Sequence, residues 1–194
     1  MGVIKTALEI ALEKTANVTS DRAGIAQFEA EQKGKKSANA FLAGSIDAEE
    51  LKKAAGEKDN QTGIRQGIFD VLITQIALPL TSEDLEKIEK IGKGFSAVIK
   101  SKEASSFFSQ LKQIFSQYLQ ETAEYEQMVR KQYAPKLRQK EEELSRRYGR
   151  EVKIDPLQDP EFVNFLNQHM NAVKANYEPV VEQAKSELQA MFLR

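Results

Sequence analysis

The sequence has 194 residues and contains no cysteine, no tryptophan and a single histidine. Without cysteine the chain forms no disulfide, carries no thiolate nucleophile and ligates no metal through sulfur. The histidine, His169, has Leu166 and Val173 at the helical positions where a second metal ligand would stand. No Ser-His-Asp set and no paired Glu-x-x-His motif accompanies it. We therefore expect a non-enzymatic protein with no cofactor and no metal, in which His169 packs on a helix face.

A strong charge of one sign and a long apolar run are also missing. The formal net charge is −1, which gives no overall case for binding nucleic acid or an anionic membrane. The longest apolar stretch, residues 67–80, contains Asp70 and Gln75 and is too short to span a bilayer. Glu9 and Glu13 interrupt the apolar run that a signal peptide would need. We expect no membrane span and a cytoplasmic location.

The residues that are abundant, namely glutamate, lysine, glutamine, alanine and leucine, all favour helices. This composition predicts an all-α fold. Asp47 and Glu50 have the spacing of a capping box, and Gly56 stands where that helix would end. Gly92 and Gly94 are expected to let another helix come close, or to kink their own helix. The predicted N-terminal helices cover residues 3–15, a short segment with Ile25 and Phe28, residues 47–56, residues 64–78 and residues 81–100.

Two breaks and one ambiguous segment lie among these helices. Residues 32–37 contain a glycine among lysines and are predicted to break the helical pattern, and residues 57–63 are the most linker-like stretch. Residues 64–78 are apolar almost all round and rich in β-branched side chains, so a buried strand is an alternative there. A segment of this length is long for a strand and ordinary for a helix, so we favour a helix that ends before Pro79.

The C-terminal half has a different pattern, in which apolar residues alternate at spacings of three and four. This seam is typical of a coiled coil and consists of Phe108, Leu111, Phe115, Tyr118, Thr122, Tyr125 and Val129. A thinner stripe continues it through Tyr133, Leu137, Leu144 and Tyr148, after which Gly149 ends the helix. Asp159, Pro160 and Glu161 then form a strong start signal for a last long helix.

Two long helices joined by a short turn are predicted to lie antiparallel. The predicted fold is therefore an elongated all-α protein in which residues 1–101 form a bundle of shorter helices. Residues 102–194 form a long, coiled-coil-like hairpin with its turn near 149–159, and this hairpin packs with the bundle or extends from it. Folding about residue 154 would place Pro135 opposite residue 173. Pro135 and Pro179 are candidate helix bends.

The seam has more apolar width than one partner helix needs, because Phe107 and Ile114 lie beside it. A second chain or the N-terminal helices would have to cover the excess. The candidate interaction surface comprises Phe107, Phe108, Leu111, Ile114, Phe115 and Tyr118.

Basic residues concentrate at the predicted end of the hairpin. Between Arg130 and Lys153 there are nine lysines or arginines and four glutamates, a local net charge of +5. The acidic start of the next helix can meet part of this charge, and a solvent-exposed helix face is the usual interpretation of such a mixture. The candidate basic tip comprises Arg138, Arg146, Arg147, Arg150 and Lys153.

These observations favour a helical interaction or scaffold protein whose partner is another protein or a second copy of itself, with a homodimer favoured. A nucleic-acid-binding protein that uses the basic tip is the alternative, although nucleic acid is a less favoured partner. A chaperone-like helical clamp is a second alternative, which no sequence feature distinguishes from the interaction or scaffold protein.

Overall fold

The computed structural model of the protein describes residues 22–56, 61–99 and 103–194. Within these ranges the chain is all-α and contains no strand, as the composition predicts. The predicted helix over residues 3–15 lies outside the described residues. The elements are α1 (Arg22–Ala43), α2 (Ala48–Ala55), α3 (Gln61–Thr74), α4 (Ser82–Val98), α5 (Glu103–Tyr148), a short 3-10 helix (Pro156–Gln158) and α6 (Pro160–Phe192).

Helix α2 begins at the capping box that the sequence predicts. The Asp47 side chain accepts a hydrogen bond from the backbone N–H of Glu50 at 2.8 Å, and the Glu50 side chain accepts one from the N–H of Asp47 at 3.0 Å. At the start of α4, Asp84 accepts a hydrogen bond from the N–H of Thr81 at 3.1 Å. These side chains satisfy N–H groups that the first helical turn leaves without partners.

The predicted break at residues 32–37 is wrong, because α1 continues through it as one helix. Gly34 allows close packing here instead of ending the helix. A Cβ atom at Gly34 would clash with the carbonyl group of Ile64 in α3, and one at Gly63 would lie 2.8 Å from the Ala30 Cβ. Small residues on both helices therefore let α1 and α3 approach backbone to backbone.

The segment predicted at residues 64–78 is a helix and not a strand, but its bounds differ from the prediction at both ends. Helix α3 begins at Gln61, inside the predicted linker 57–63, and ends at Thr74. The backbone N–H of Gln75 bonds to the carbonyl of Leu72 at 3.1 Å, and residues 76–79 are not helical. Residues 57–60 of the predicted linker lie outside the described ranges.

The chain divides into two compact units. The first contains the described residues 22–56, 61–75 and 93–99, and the second contains 76–92 and 103–194. The predicted division between residues 101 and 102 assigns residues 76–92 to the N-terminal helices, whereas they group with the second unit. In the first unit, the rings of Phe69 and Phe95 meet edge to face with their centroids 5.6 Å apart.

In the second unit, contacts between α5 and α6 pair residues in opposite order along the chain. The ring of Tyr118 contacts that of Tyr177, and the ring of Tyr133 meets that of Phe162 edge to face, so these segments run antiparallel. Lys136 forms an ion pair with Glu161 at 2.9 Å, so the expected position of Pro135 opposite residue 173 is wrong. The cause is that the chain reverses direction before residue 152 and not at residue 154. Residues 152–154 already run back along α5, where Val152 bonds to Ser145 and Ile154 to Glu141. The elongated, coiled-coil-like character of this pair stays a prediction.

Candidate interaction surfaces

Most of the predicted interaction surface is buried within the chain itself. The side chains of Phe108, Leu111, Phe115 and Tyr118 are buried, whereas those of Phe107 and Ile114 are half-buried. A Cβ atom at Gly92 of α4 would lie 2.8 Å from the Phe108 ring, which shows how closely α4 packs on this part of α5. Of the six predicted residues, Phe107 and Ile114 therefore retain most of the area that a partner could reach.

Helix α5 exposes a different pair of apolar side chains near its middle. Tyr125 is 41% exposed and Met128 is 49% exposed, so the prediction that Tyr125 continues the buried seam is wrong. An α-helix drifts by about 20° for each seven-residue repeat, and packing follows that drift over a long helix. Along this part of α5, Thr122 and Glu126 are half-buried and Val129 is buried, in place of Tyr125. We call the surface formed by Glu124, Tyr125, Met128 and Lys131 the outer face of α5.

A network of charged side chains joins α5 to the start of α6. Asp159 is only 5% exposed, and its carboxylate accepts hydrogen bonds from the Tyr133 hydroxyl at 2.9 Å and from Lys140 Nζ at 2.8 Å. Lys140 also forms an ion pair with Glu161 at 2.7 Å, and Lys136 forms one with the same carboxylate at 2.9 Å. The described side chains contain no buried nitrogen or oxygen atom without a hydrogen-bond partner. Two cations therefore balance two carboxylates, and the network has no net charge.

The network lowers the pKa values of its carboxyl groups and raises those of Lys140 and Tyr133. At neutral pH it therefore favours ionised carboxylates, a charged lysine and a neutral tyrosine. The Lys140 ammonium, followed by that of Lys136, lowers the pKa of Glu161 from 4.5 to about 2. Lys140 also holds the pKa of Asp159 below its usual range. The hydrogen bond to Asp159 raises the pKa of Lys140. Burial, followed by the hydrogen bond to Asp159, raises the pKa of the Tyr133 hydroxyl.

Side chains of α5 also hold the backbone of the loop that follows. Ser145 Oγ accepts a hydrogen bond from the N–H of Val152 at 2.8 Å, and Glu141 accepts one from the N–H of Ile154 at 2.9 Å. Asp155 caps the short 3-10 helix through the N–H of Leu157 at 3.0 Å. Neither Ser145 nor Glu141 could be recognised from the sequence, because both belong to a polar stretch typical of a solvent-exposed helix face. The loop is thus fixed at several backbone positions.

The fixed loop and the last turns of α5 display the candidate basic tip. Arg138, Arg146, Arg147, Arg150 and Lys153 are all exposed. Arg146 lies 3.9 Å from Glu142, while Lys153 lies 3.3 Å from Glu151 and 3.9 Å from Glu141.

Two apolar side chains accompany these cations at the tip. Tyr148 is 61% exposed, so its predicted place in the apolar stripe is wrong, and Leu157 is 57% exposed. A cleft of about 560 Å³ lies beside the network and is lined by Lys140, Glu143, Leu144, Arg147, Lys153, Ile154, Gln158, Asp159 and Pro160. The tip therefore combines cationic and apolar groups on a loop of fixed conformation.

A protein-family model matches residues 48–190, a range that includes both the outer face of α5 and the tip. The chain belongs to the DUF6657 family. This family is described as a family of unknown function. No curated protein and no solved structure matches the chain.

The remaining predicted sites of this DUF6657 chain lie on α5 and α6. His169 is half-buried and its ring meets that of Phe165 edge to face at 4.6 Å, which agrees with the predicted helix-face packing. Pro135 and Pro179 both stand inside continuous helices, and the bends proposed for them stay predictions.

Among the residues that the structure describes, no group of three or more His, Cys, Asp or Glu side chains is placed to hold a metal ion. Nor is any of the described helices both long and apolar enough to cross a membrane.

Proposed function

We propose that this chain is a non-enzymatic helical interaction protein that self-associates, and that its copies meet at the outer face of α5. The observation that carries the proposal is the exposure of Tyr125 and Met128 next to each other on one face of a 46-residue helix. These residues are three positions apart, so their side chains are neighbours on the helix surface. Association is favourable when a partner removes exposed apolar side chains from water.

The packing behind the outer face supports this role. Val129 and Tyr133, from the same segment of α5, form a buried cluster with Phe162 of α6. A surface that is already fixed by such packing loses little conformational entropy when it binds. Tyrosine and methionine are also enriched in protein interfaces relative to the rest of protein surfaces.

The electrostatics of the network between α5 and α6 support a non-enzymatic role. A general acid or base works best when its pKa lies near the working pH. The pKa of Glu161 is lowered to about 2, and the pKa values of Lys140 and Tyr133 are raised above their usual values. Each shift moves the group away from neutral pH. We therefore interpret the network as a structural clamp between α5 and α6.

The proposal can be tested by co-expressing two copies of the chain that carry different affinity tags. We expect one tag to recover the other copy. The double substitution Tyr125→Ser and Met128→Ser should abolish that recovery, because it removes the apolar groups of the outer face. Tyr148→Ser with Leu157→Ser is the matched control, which removes two exposed apolar residues elsewhere and should leave recovery unchanged. Failure of the unsubstituted chain to recover its copy would refute the proposal.

A second candidate function is nucleic-acid binding at the tip, and the exposure of Tyr148 favours it. This ring lies near Arg147 and Arg150 in sequence at the start of a fixed loop. Single-stranded nucleic acids bind to surfaces that combine cations with aromatic stacking platforms.

This candidate predicts that the chain binds a single-stranded oligonucleotide and that binding weakens steeply as salt increases. Arg147→Glu with Arg150→Glu should abolish binding, measured as fluorescence anisotropy of a labelled oligonucleotide. Lys52→Glu with Lys53→Glu, on exposed positions of α2, supplies the same change in net charge away from the tip. Equal losses in both variants would exclude a site at the tip.

A further inference from the structure

The charges along the outer face of α5 have an order that bears on how two copies meet. Glu124 lies one turn before Met128, and Lys131 lies one turn after it. Both charged residues are exposed, and Gln120 donates a hydrogen bond to the Glu124 carboxylate at 2.9 Å. Because they are seven positions apart, Glu124 and Lys131 stand on the same edge of the face. The face therefore carries a negative charge at one end and a positive charge at the other.

We infer that a second copy of this chain docks on the outer face with its α5 antiparallel. This inference rests on the proposed self-association and specifies its geometry. A two-fold axis through the middle of the face places Tyr125 of one copy against Met128 of the other. The same axis brings Glu124 of each copy to Lys131 of the other, which forms two intermolecular ion pairs. A parallel arrangement in register would instead place Glu124 level with Glu124 and Lys131 level with Lys131 of the other copy, so neither ion pair would form.

The position of the outer face within α5 also favours this arrangement. Helix α5 runs from Glu103 to Tyr148, so its midpoint falls between Tyr125 and Glu126. An antiparallel α5 centred on the face would therefore overlap its partner along almost the whole helix. A stable dimer buries about 800 Å² on each partner, which two side chains alone cannot supply. The overlap supplies further contact area, to which the half-buried Phe107 and Ile114 can contribute.

Charge reversal tests the orientation directly. Glu124→Lys should weaken dimerisation about tenfold at low salt, because it replaces two attractive contacts by two repulsive ones. Lys131→Glu should do the same, and the two substitutions together should restore dimerisation, since the pairs re-form with their signs exchanged. Glu86→Lys, at an exposed position within α4, is the matched control and should change nothing. The dissociation constant of the full chain is measured by sedimentation at low and high salt.

Cysteine cross-linking gives an independent test, because the chain has no cysteine of its own. Tyr125→Cys and Met128→Cys variants, made with tags of different size, are mixed and oxidised. Antiparallel docking predicts a disulfide mainly between the two different variants, whereas parallel docking predicts disulfides between identical variants. The Cα atoms must approach to within about 7 Å for the bond to form.

The outcomes separate this inference from the proposal on which it rests. A chain that stays monomeric overturns both. A chain that dimerises, but in which the double charge reversal fails to restore what each single reversal removes, overturns the antiparallel docking alone. Disulfides formed mainly between identical variants also overturn the docking and leave self-association intact.

Discussion

At the scale of single residues, Asp159 has two structural roles. Its carboxylate caps α6 by accepting a hydrogen bond from the N–H of Glu161 at 3.1 Å. The same buried group binds Lys140 and Tyr133 of α5. A buried carboxylate is costly unless each of its oxygens has a partner, and these donors supply them. One side chain therefore starts a helix and fastens it to its neighbour.

We predict that Tyr133→Phe lowers the free energy of unfolding by about 1 kcal/mol, because it removes one hydrogen bond to a buried carboxylate and keeps the ring. Tyr148→Phe makes the same chemical change at a ring that is 61% exposed and should have no effect. Urea unfolding followed by circular dichroism measures both variants. Equal stabilities for the two variants would show that the hydroxyl of Tyr133 contributes nothing.

The network also predicts how stability depends on pH. The pKa of Glu161 is held at about 2, below its usual 4.5, so its ionised form stabilises the folded state above about pH 4.5. That stabilisation is lost as the pH falls toward 2. The pKa of Lys140 is raised, so its contribution is present at neutral pH and is lost only above its usual 10.5.

Lys140→Gln should therefore reduce the loss of stability between about pH 5 and about pH 2, because the folded-state pKa of Glu161 then lies closer to its unfolded value. Urea unfolding at intervals of one pH unit compares the two proteins. If the free energy of unfolding fell equally in both proteins as the pH was lowered, the network would not be the source of this acid sensitivity.

Part of this network could be predicted from the sequence. The local signal of Asp159, Pro160 and Glu161 identified the start of α6 correctly, and their acidity suggested that they meet nearby basic residues. The contact with Tyr133 could not be predicted, because it depends on the path of the loop. Hydrogen bonds from Val152 to Ser145 and from Ile154 to Glu141 fix that path, and such contacts leave no periodic signal in a sequence.

At the scale of elements, glycine decides how closely neighbouring helices pack. Gly34 and Gly67 each face the backbone of another helix, whereas Gly92 faces the side chain of Phe108. A glycine inside a helix costs up to about 1 kcal/mol relative to alanine, so close approach has to compensate for it. The predicted break at residues 32–37 failed for this reason. Sequence pattern alone does not distinguish a glycine that ends a helix from one that admits a neighbour.

We predict that Gly67→Ala lowers stability by about 1–3 kcal/mol, because its Cβ would clash with the carbonyl of Glu31, which is part of a helix. Gly92→Ala should cost less, since its Cβ would meet side-chain atoms of Phe108 at 2.8 Å, whereas the Cβ at Gly67 would meet a helix carbonyl oxygen at a shorter distance. Alanine also favours the helix relative to glycine. Thermal unfolding compares the two variants. A larger loss for Gly92→Ala would contradict this explanation.

The C-terminal end of α5 was predicted correctly, whereas the exposure of two of its tyrosines was not. Gly149 has a φ of +63°, a conformation that glycine adopts readily, and it follows the last helical residue, Tyr148. The alternation of three and four residues predicted Tyr125 and Tyr148 on the buried side, yet both are exposed. A strict seven-residue pattern ignores the drift of a helix relative to its neighbours, so errors accumulate along a helix of this length.

At the scale of the whole molecule, the chain consists of two compact units, and the second contains both candidate surfaces. The all-α class followed from composition alone. The grouping of residues 76–92 with the second unit did not, because it depends on tertiary contacts such as that between Gly92 and Phe108. The two candidate surfaces are chemically different. The outer face of α5 is apolar with one charge of each sign, whereas the tip is mainly cationic.

The most direct test of the proposed self-association is sedimentation equilibrium of the full chain from about 1 to about 100 µM, the range expected for a weak to moderate interface. We predict that the average mass rises with concentration from 21.8 kDa toward twice that value. The variant with Tyr125→Ser and Met128→Ser should remain at the mass of one chain. An unsubstituted chain that stays at 21.8 kDa throughout, or a variant that associates equally strongly, would contradict self-association through the outer face of α5.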